Sequence, residues 1–337
     1  MNSTFRAYAA HRPGAALELS ELPRHELPAD EVEISVEYCG LCHSDLAMIR
    51  NDWDTSIYPL VPGHEVVGTI TSAGKNVPLQ NIGKRVGVGW YSGSCGYCTF
   101  CLSGRQSLCG SRKKTLVGRH GGFASSIRCH WKWATPLPAS LPPNIAGPLC
   151  CAGLTVYQAI LHSRIRPTDR VGVIGIGGLG HLAIQFLKKW GCHVTAFTSN
   201  PEKAAKQKTL GADTVIQSNC KQALSVASQS LDWILCTSPA AIDTSTWLDL
   251  LAPGGTLHFV GIPSEPLSLP IPALLAQKSI TASTPGGPGV MTEMLKFAAR
   301  HHIQPLIEEL PLSQINEAIV RLEKGDVRYR FVLRNDL

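Results

Sequence analysis

Residues 171–187 read VGVIGIGGLGHLAIQFL, where an apolar strand pattern ends in a glycine-rich turn and continues as an apolar helix pattern. The turn residues expected to approach a ligand are Gly175, Gly177, Gly178, Leu179 and Gly180. Glycine at this spacing permits a tight turn and lets N–H groups at the helix start meet a pyrophosphate, which is the fingerprint of a dinucleotide site. Six apolar strands alternate with helical segments from Val171 onward, so we predict a doubly wound parallel sheet.

The residues after the second of these strands predict the type of dinucleotide. An NAD site places Asp or Glu about 20 positions beyond the first glycine, to accept a hydrogen bond from the ribose 2′-hydroxyl. This chain has hydroxyl, amide and ammonium side chains there instead, at Thr198, Ser199, Asn200 and Lys203. Hydroxyls and a cation suit a 2′-phosphate, so we expect NADP(H). The alternative is that Lys203 is only an exposed residue of the next helix.

A cysteine-rich loop follows the pattern C-x2-C-x2-C-x7-C, at Cys95, Cys98, Cys101 and Cys109. Four thiolates predict a tetrahedral structural zinc site, which leaves no open position for chemistry. An iron–sulfur cluster is the competing interpretation, but the bacterial ferredoxin run closes with C-x3-C-P, whereas here Gly110 follows a longer gap. Disulfides are the other alternative, and they require an oxidising compartment.

A second metal site is predicted from three separated segments. Cys42 and His64 are candidate ligands, and either Cys150 or Cys151 supplies a third. A catalytic zinc site has three protein ligands and one open position, which this set satisfies. Asp45 and Glu65 follow closely in sequence and are candidate acids for orienting the ligands.

The composition indicates an ordinary globular chain of 337 residues, long enough for two domains, with 17% charged residues and a formal charge of +6. The one basic cluster, residues 112–114, has no interleaved aromatics, so we predict no nucleic-acid partner. We find neither a signal peptide pattern nor a membrane span, and therefore expect reduced cysteines and a cytoplasmic location. Up to about residue 135, short β-type runs separated by turns predict an irregular β domain.

With these motifs in place, the chain resembles the zinc-dependent medium-chain alcohol dehydrogenases. The segment GHEVVGTITSAGKNV, residues 63–77, fits the zinc signature of that family. The segments YCGLCHSDL, GPLCCAGLTVY and AFTSNPEK, with the cysteine loop, are most similar to bacterial NADPH-dependent broad-range aldehyde reductases, near the cinnamyl alcohol dehydrogenase branch. The resemblance covers nearly the whole chain.

This resemblance implies a GroES-like catalytic domain over residues 1–150 and 286–337, and a Rossmann-type NADP-binding domain over residues 151–285. It implies a cleft between them that holds zinc and nicotinamide, two zinc ions per chain, and a homodimer formed through the cofactor domain. It selects Cys151 over Cys150 as a ligand, implies that Glu65 can approach the metal, and places Thr155 against the nicotinamide.

The mechanism implied is reversible reduction of an aldehyde to a primary alcohol, with zinc polarising the carbonyl and NADPH supplying the hydride. Ser44 is expected to pass a proton, while Leu46 and Ala47 stand where many relatives carry a relay histidine. Trp53, Tyr58 and Trp90 lie in segments that line the substrate pocket in relatives, although core packing is an equal alternative.

Two other functions remain open at this level. One is a non-catalytic NADPH-binding protein that acts as a sensor or structural component. The other is an enzyme similar to quinone reductases. Zinc-free relatives of both kinds lack the catalytic ligands that this chain retains.

Overall fold

The structure is a computed structural model that describes residues 4–200, 202, 204–263 and 265–337. It divides into two compact units. The first contains Met1–Leu154, Pro285–Arg300 and Gln304–Leu337, and the second contains Thr155–Thr284 and His301–Ile303.

The amino-terminal part of the first unit is built mainly from short strands, as the alternation of apolar runs and turns predicts. Its elements are β1 (Thr4–Ala9), β2 (Glu18–Pro23), β3 (Glu31–Leu41), α1 (His43–Arg50), β4 (Glu65–Ala73), β5 (Arg85–Val88), β6 (Tyr91–Gly93), α2 (Thr99–Leu102), β7 (Lys113–Lys114), β8 (Ser126–His130), β9 (Thr135–Pro136) and α3 (Pro143–Pro148). A π-helical turn, Leu149–Gly153, follows α3 and leads into α4 (Leu154–His162).

The second unit alternates strands and helices, because apolar four- to nine-residue runs are separated by helical segments. Its elements after α4 are β10 (Arg170–Ile174), α5 (Gly180–Trp190), β11 (His193–Thr198), α6 (Ala204–Thr209), β12 (Thr214–Gln217), α7 (Lys221–Val226), β13 (Leu231–Cys236), α8 (Thr244–Asp249), β14 (Leu251–Phe259) and β15 (Ser279–Ala282). The strands form one parallel sheet in the order β12-β11-β10-β13-β14-β15, so the predicted doubly wound parallel sheet is confirmed.

The chain then adds α9 (Pro288–His301), β16 (Ile307–Pro311), α10 (Ile315–Glu323) and β17 (Arg330–Arg334). β17 pairs antiparallel with β3, with Phe331 opposite Leu41, and β16 pairs parallel with β17. These strands extend the main sheet of the first unit, whose order is β16-β17-β3-β4-β5-β9 with β8 also paired to β3. The long strand β3 therefore lies in the middle of this sheet, paired with β17, β4 and β8, and its carboxyl end leads directly to Cys42.

The turn between β10 and α5 shows why glycine is needed there. Gly175 has φ +83°, and a Cβ atom at this position would lie 2.8 Å from the Ser238 backbone nitrogen. Any other residue would be strained by its φ and by this contact.

One helical stretch, Pro143–His162, is long and apolar enough to cross a membrane by length and composition, which the sequence analysis did not anticipate. Of its most apolar window, 78% is buried inside the protein. Such burial is what the packing of a core helix produces.

Candidate metal centre and cofactor turn

Four potential metal ligands meet in the first unit. They are Cys42, His64, Glu65 and Cys151, and one ligand atom from each lies within 4.8 Å of every other. Cys42 directly precedes α1, His64 directly precedes β4, Glu65 is the first residue of β4, and Cys151 lies in the π-helical turn. The sequence prediction named these same four side chains, and the structure brings them together.

Asp45 fixes the arrangement of this group. Its Oδ2 accepts a hydrogen bond from the Cys42 backbone nitrogen at 3.0 Å, and its Oδ1 accepts from the Gly63 backbone nitrogen at 2.9 Å. The same Oδ1 lies 2.8 Å from Nδ1 of His64, and both side chains are fully buried. This contact occupies Nδ1 of His64, so Nε2 is the ring nitrogen that faces the other candidate ligands.

The two adjacent cysteines have different surroundings. Cys151 Sγ lies 3.3 Å from His64 Nε2, inside the ligand group. The Cys150 side chain is fully buried and packs against Gly87, and burial raises its pKa, as expected of an inert thiol. Cys150 is outside the group, because successive residues of a helical turn point in different directions.

A buried arginine, which sequence reasoning missed, completes this site. Arg330 on β17 is 4% exposed, and it forms an ion pair with Glu65 while its Nη1 lies 3.8 Å from Cys42 Sγ. No local pattern links residues so distant in sequence, and Arg330 is one of three arginines in the segment RYRFVLR, residues 328–334, so nothing in that segment singles it out. A buried arginine needs an acidic partner, which Glu65 provides.

The proton affinities of the group follow from its burial and its charges. A hydrogen bond from the Cys151 thiol, with the Arg330 guanidinium nearby, holds the pKa of Cys42 well below its usual range. The same hydrogen bond and burial raise the pKa of Cys151. Burial raises the pKa of Glu65 despite the opposing charge of Arg330. Cys42 is therefore the preferred thiolate of the pair.

The donor set fits a zinc ion. Two thiol sulfurs and one imidazole nitrogen are ligands that zinc prefers, and three protein ligands leave one position open. One oxygen of Glu65, Oε2, is buried without a hydrogen-bond partner among the described residues, so an acceptor remains unused beside the sulfurs. A Cβ atom at Gly40 would collide with this carboxylate, so the cradle depends on glycine there.

The cysteine loop forms a second group of potential ligands. The sulfurs of Cys95, Cys98, Cys101 and Cys109 all lie within 4.8 Å of one another. Cys95 is 3.8 Å from Cys101 and 3.5 Å from Cys109, and hydrogen bonds from backbone N–H groups of Tyr97 and Cys98 lower its pKa to about 6. None of the twelve cysteines, all of which lie in described parts of the chain, forms a disulfide. The loop thus presents four free sulfurs, as a closed tetrahedral site requires.

The candidate proton donor and pocket residues lie in the same unit. Ser44 is half-buried in the first turn of α1. Trp90 packs edge-on against His64, with ring centroids 4.9 Å apart, and against Trp53 at 5.7 Å. The Tyr58 hydroxyl donates to the Ile49 carbonyl at 2.8 Å. All three aromatic side chains are partly buried against the core, which agrees with core packing, and their place in a substrate pocket stays a prediction.

The candidate cofactor residues lie in the second unit. The turn residues Gly175–Gly180 connect β10 to α5, and Thr155 is a buried residue of α4. At the end of β11, the Thr198 hydroxyl bonds the Asn200 carbonyl at 2.9 Å, while Ser199 is exposed. Lys203 lies outside the described residues. The carboxyl edge of β10 and β11 thus carries the predicted turn and hydroxyl side chains.

Comparison with known proteins gives matches over both units. Residues 28–139 match the alcohol dehydrogenase GroES-like domain, and residues 178–300 match the zinc-binding dehydrogenase family. The chain is 46% identical to the aldehyde reductase AdhA of Synechocystis sp., over 97% of this chain and 98% of that protein. It is 37% identical to a probable cinnamyl alcohol dehydrogenase of Oryza sativa subsp. japonica, over 92% of this chain and 90% of that protein.

Solved structures agree with these matches. A cinnamyl alcohol dehydrogenase from Sorghum bicolor has a TM-score of 0.93 at 36% identity, with 98% of each chain covered. A structure of CAD from Helicobacter pylori complexed with NADP(H) has a TM-score of 0.90 at 28% identity, with 99% of each chain covered. The predicted fold class, a GroES-like β domain with a Rossmann-type α/β domain, is confirmed.

Proposed function

The chain belongs to the zinc-binding alcohol dehydrogenase family, as a medium-chain dehydrogenase of the aldehyde reductase and cinnamyl alcohol dehydrogenase type, and we propose that it reduces aldehydes reversibly to primary alcohols with NADPH and zinc. The observation that carries the proposal is the convergence of Cys42, His64 and Cys151. Zinc-free sensors and quinone reductases of the same architecture lack this ligand set.

The ligand group has a defined task in this proposal. When bound, zinc supplies a Lewis acid for the carbonyl oxygen, and NADPH supplies a hydride. Cys42, His64 and Cys151 would hold the metal, with Glu65 as a further donor. Asp45 keeps the His64 ring in one tautomer and one orientation, because it accepts from Nδ1.

Ser44 is the proposed proton donor. It lies two residues after Cys42, in the first turn of α1, and it is half-buried, so it retains access to solvent. We assign it the transfer of a proton to the oxygen of the reduced substrate, a step for which general acids need hydrogen-bond distance. Leu46 and Ala47 carry no titratable group, so the route beyond Ser44 runs through other hydroxyls or water.

The preference for NADPH rests on the end of β11. Thr198, Ser199, Asn200 and Lys203 provide hydroxyl, amide and ammonium groups, and none of these four is an acid that would repel a 2′-phosphate. We assign Thr155 to the nicotinamide and the turn from Gly175 to Gly180 to the pyrophosphate. The relative whose structure contains NADP(H) supports this choice by similarity.

The substrate is proposed to be a medium-chain or aromatic aldehyde. Trp90 contacts His64 and Trp53, which places a large apolar surface beside the ligand group. Apolar aromatic walls bind apolar substrates through the area that they bury. Tyr58 contributes its ring, since its hydroxyl is used by the Ile49 carbonyl.

The remaining assignments are also proposals. The cysteine loop would hold a structural zinc, for two zinc ions per chain. Residues 1–150 with 286–337 would form the catalytic domain and residues 151–285 the cofactor domain, through which two copies would pair. We place the protein in the cytoplasm, where free thiols persist.

The test is a panel of aliphatic and aromatic aldehydes assayed with NADPH and with NADH, beside a zinc measurement on the same preparation. We expect turnover with NADPH and two zinc ions per chain. Cys42→Ala is the matched control, since it removes one ligand of the proposed catalytic ion only. Turnover of quinones but not aldehydes, or none at all in a zinc-loaded protein, would contradict the proposal.

A further inference from the structure

A pocket of about 280 Å³ lies in the first unit and is separate from the features described so far. Its walls come from β1, the end of β2, β3, β8 and the segment around residues 118–120. None of its lining residues belongs to either ligand group or to the glycine turn. We call it the arginine pocket, after Arg24, Arg119 and Arg128, which line it.

The charges around this pocket do not balance. Arg119 pairs with Glu31 through two hydrogen bonds of 2.8 and 2.7 Å, while Arg24 and Arg128 share Glu33. Lys113 also pairs with Glu31, at 4.0 Å, so four cationic groups against two carboxylates (4 − 2) leave two positive charges. An unbalanced cation at a concave, partly buried wall attracts an anion more strongly than one on an open surface.

The guanidinium of Arg24 also keeps donors free. It donates to Glu33 and, at 3.4 Å, to the Ser126 hydroxyl. Because a guanidinium has five N–H groups, three of them have no protein acceptor among the described residues. Its side chain is 27% exposed, so a ligand can reach these donors.

A histidine adds an unused polar atom to this pocket. His120 lines the pocket, and its Nδ1 is buried without a hydrogen-bond partner among the described residues. Burial, together with the charges of His25 and Arg119, lowers the pKa of His120. The imidazole is thus harder to protonate than a free histidine, and one of its polar atoms is unused.

Part of the wall is apolar, beside the polar residues Glu33, His25 and Ser126. The Phe5 ring lies 5.9 Å from the Arg24 guanidinium carbon and 5.3 Å from the His120 ring centroid. Pro23 and Ile127 add aliphatic surface. A ligand that fills the pocket would therefore meet a cationic edge and an apolar wall together.

We propose that the arginine pocket binds a small organic anion, with a carboxylate or phosphate group against Arg24 and an apolar or aromatic body against Phe5. The forked N–H groups of a guanidinium match both oxyanions in geometry. The volume suffices for a ring or short chain that carries one such group.

Calorimetric titration of the zinc-loaded full-length protein tests this proposal. The probes are benzoate, phenyl phosphate and inorganic phosphate, at fixed ionic strength and with saturating NADP⁺ to fill the dinucleotide site. We expect saturable binding of at least one organic anion, and weaker binding of inorganic phosphate. No saturable binding of any probe would overturn the proposal. Equal affinity for inorganic phosphate and phenyl phosphate would overturn the part of it that places an apolar body against Phe5.

Variants locate the binding. Arg24→Gln should weaken it by about tenfold to a hundredfold, and Arg24→Lys by less, because it keeps the charge but loses the fork. Phe5→Leu should weaken binding of the two organic probes alone. The matched control is Arg85→Gln, which removes an arginine paired with Glu37 elsewhere in the same unit. Unchanged affinity in both Arg24 variants would place the anion elsewhere and overturn the proposal.

Discussion

His64 Nδ1 lies 2.8 Å from Asp45 Oδ1, and the same carboxylate also accepts the backbone N–H groups of Cys42 and Gly63. One buried acid therefore orients two candidate ligands at once. Because each of its oxygens is occupied, the carboxylate cannot rotate without breaking a backbone hydrogen bond. These hydrogen bonds hold Cys42 and His64 in their places in the ligand group.

Asp45→Asn tests this arrangement. The amide can still accept one hydrogen bond but presents an NH₂ group to a second donor, so the His64 tautomer is no longer fixed. We expect zinc affinity or turnover to fall by about tenfold to a hundredfold, the usual cost of changing such a partner. Competition with a chelator measures the affinity. Asp52→Asn, an exposed acid beyond the end of α1, is the control, and equal effects in both variants would contradict the assignment.

Removing one cysteine from each ligand group should have different effects on activity and stability. Cys42→Ala should abolish turnover and leave one zinc ion per chain, because the cysteine loop is intact. Cys109→Ala should lower thermal stability and solubility, since a structural zinc contributes directly to folding. Metal analysis, circular dichroism and activity on both variants distinguish the outcomes. Normal stability with lost activity in Cys109→Ala would show that the two roles are assigned the wrong way round.

Local patterns predicted much of this fold. The glycine turn before α5 and the alternation of strands and helices follow from residue spacing, so the parallel sheet was predicted correctly. The cysteine loop was equally predictable, because its four cysteines lie within fifteen residues of one another in the sequence. Features of this kind are encoded between near neighbours in the chain.

Arg330 could not be predicted in the same way. It meets Glu65 only because β17 pairs with β3, and that register depends on the folded sheet. The choice between Cys150 and Cys151 likewise depends on the rotation of a π-helical turn, which the residues alone left open and only the family resemblance resolved. Long-range pairing and helix phase are properties of the packed structure.

The cofactor preference is tested by single changes at the end of β11. Losing one hydrogen bond to a charged group costs about 1.5–3 kcal/mol, or roughly tenfold to a hundredfold in affinity. We therefore expect Lys203→Ala to raise the NADPH Michaelis constant in that range and leave NADH nearly unchanged. Ser199→Asp should favour NADH, because its carboxylate repels the phosphate and accepts from the 2′-hydroxyl. A wild type that prefers NADH would contradict the assignment.

His258 predicts a loss of stability in acid. It is fully buried, with its ring nitrogens 2.8 Å from the Thr281 hydroxyl and 2.9 Å from the Ser283 hydroxyl. Burial, with the nearby His162 charge, lowers its pKa to about 4. Between about pH 6.5 and 4 the unfolded chain binds a proton that the folded chain does not, so stability falls as pH falls, by at most about 3 kcal/mol.

Denaturant unfolding at pH 7, 5.5 and 4.5 measures this loss. His258→Gln should show a smaller decrease than wild type over the same interval, even if it is less stable at pH 7. His193→Gln, at an exposed position on β11, is the control and should retain the wild-type decrease. If the free energy of unfolding fell equally with pH in wild type and in His258→Gln, His258 would not be the cause of the loss of stability in acid.

The absence of an imidazole at Ala47 predicts the direction of the reaction. Alcohol oxidation must export a proton, and with Leu46 and Ala47 unable to carry it, export depends on Ser44 and water. We expect higher catalytic efficiency for aldehydes than for the matching alcohols near neutral pH, with oxidation improving as pH rises. Ser44→Ala should lower the rate in both directions, by up to roughly 10²–10⁴-fold. The measurement is a pH–rate profile in each direction for wild type and Ser44→Ala, with Ala47→His as a test of whether a relay can be restored. Identical profiles in wild type and Ser44→Ala would show that protons take another route, and Ser44 would then have no part in the chemistry.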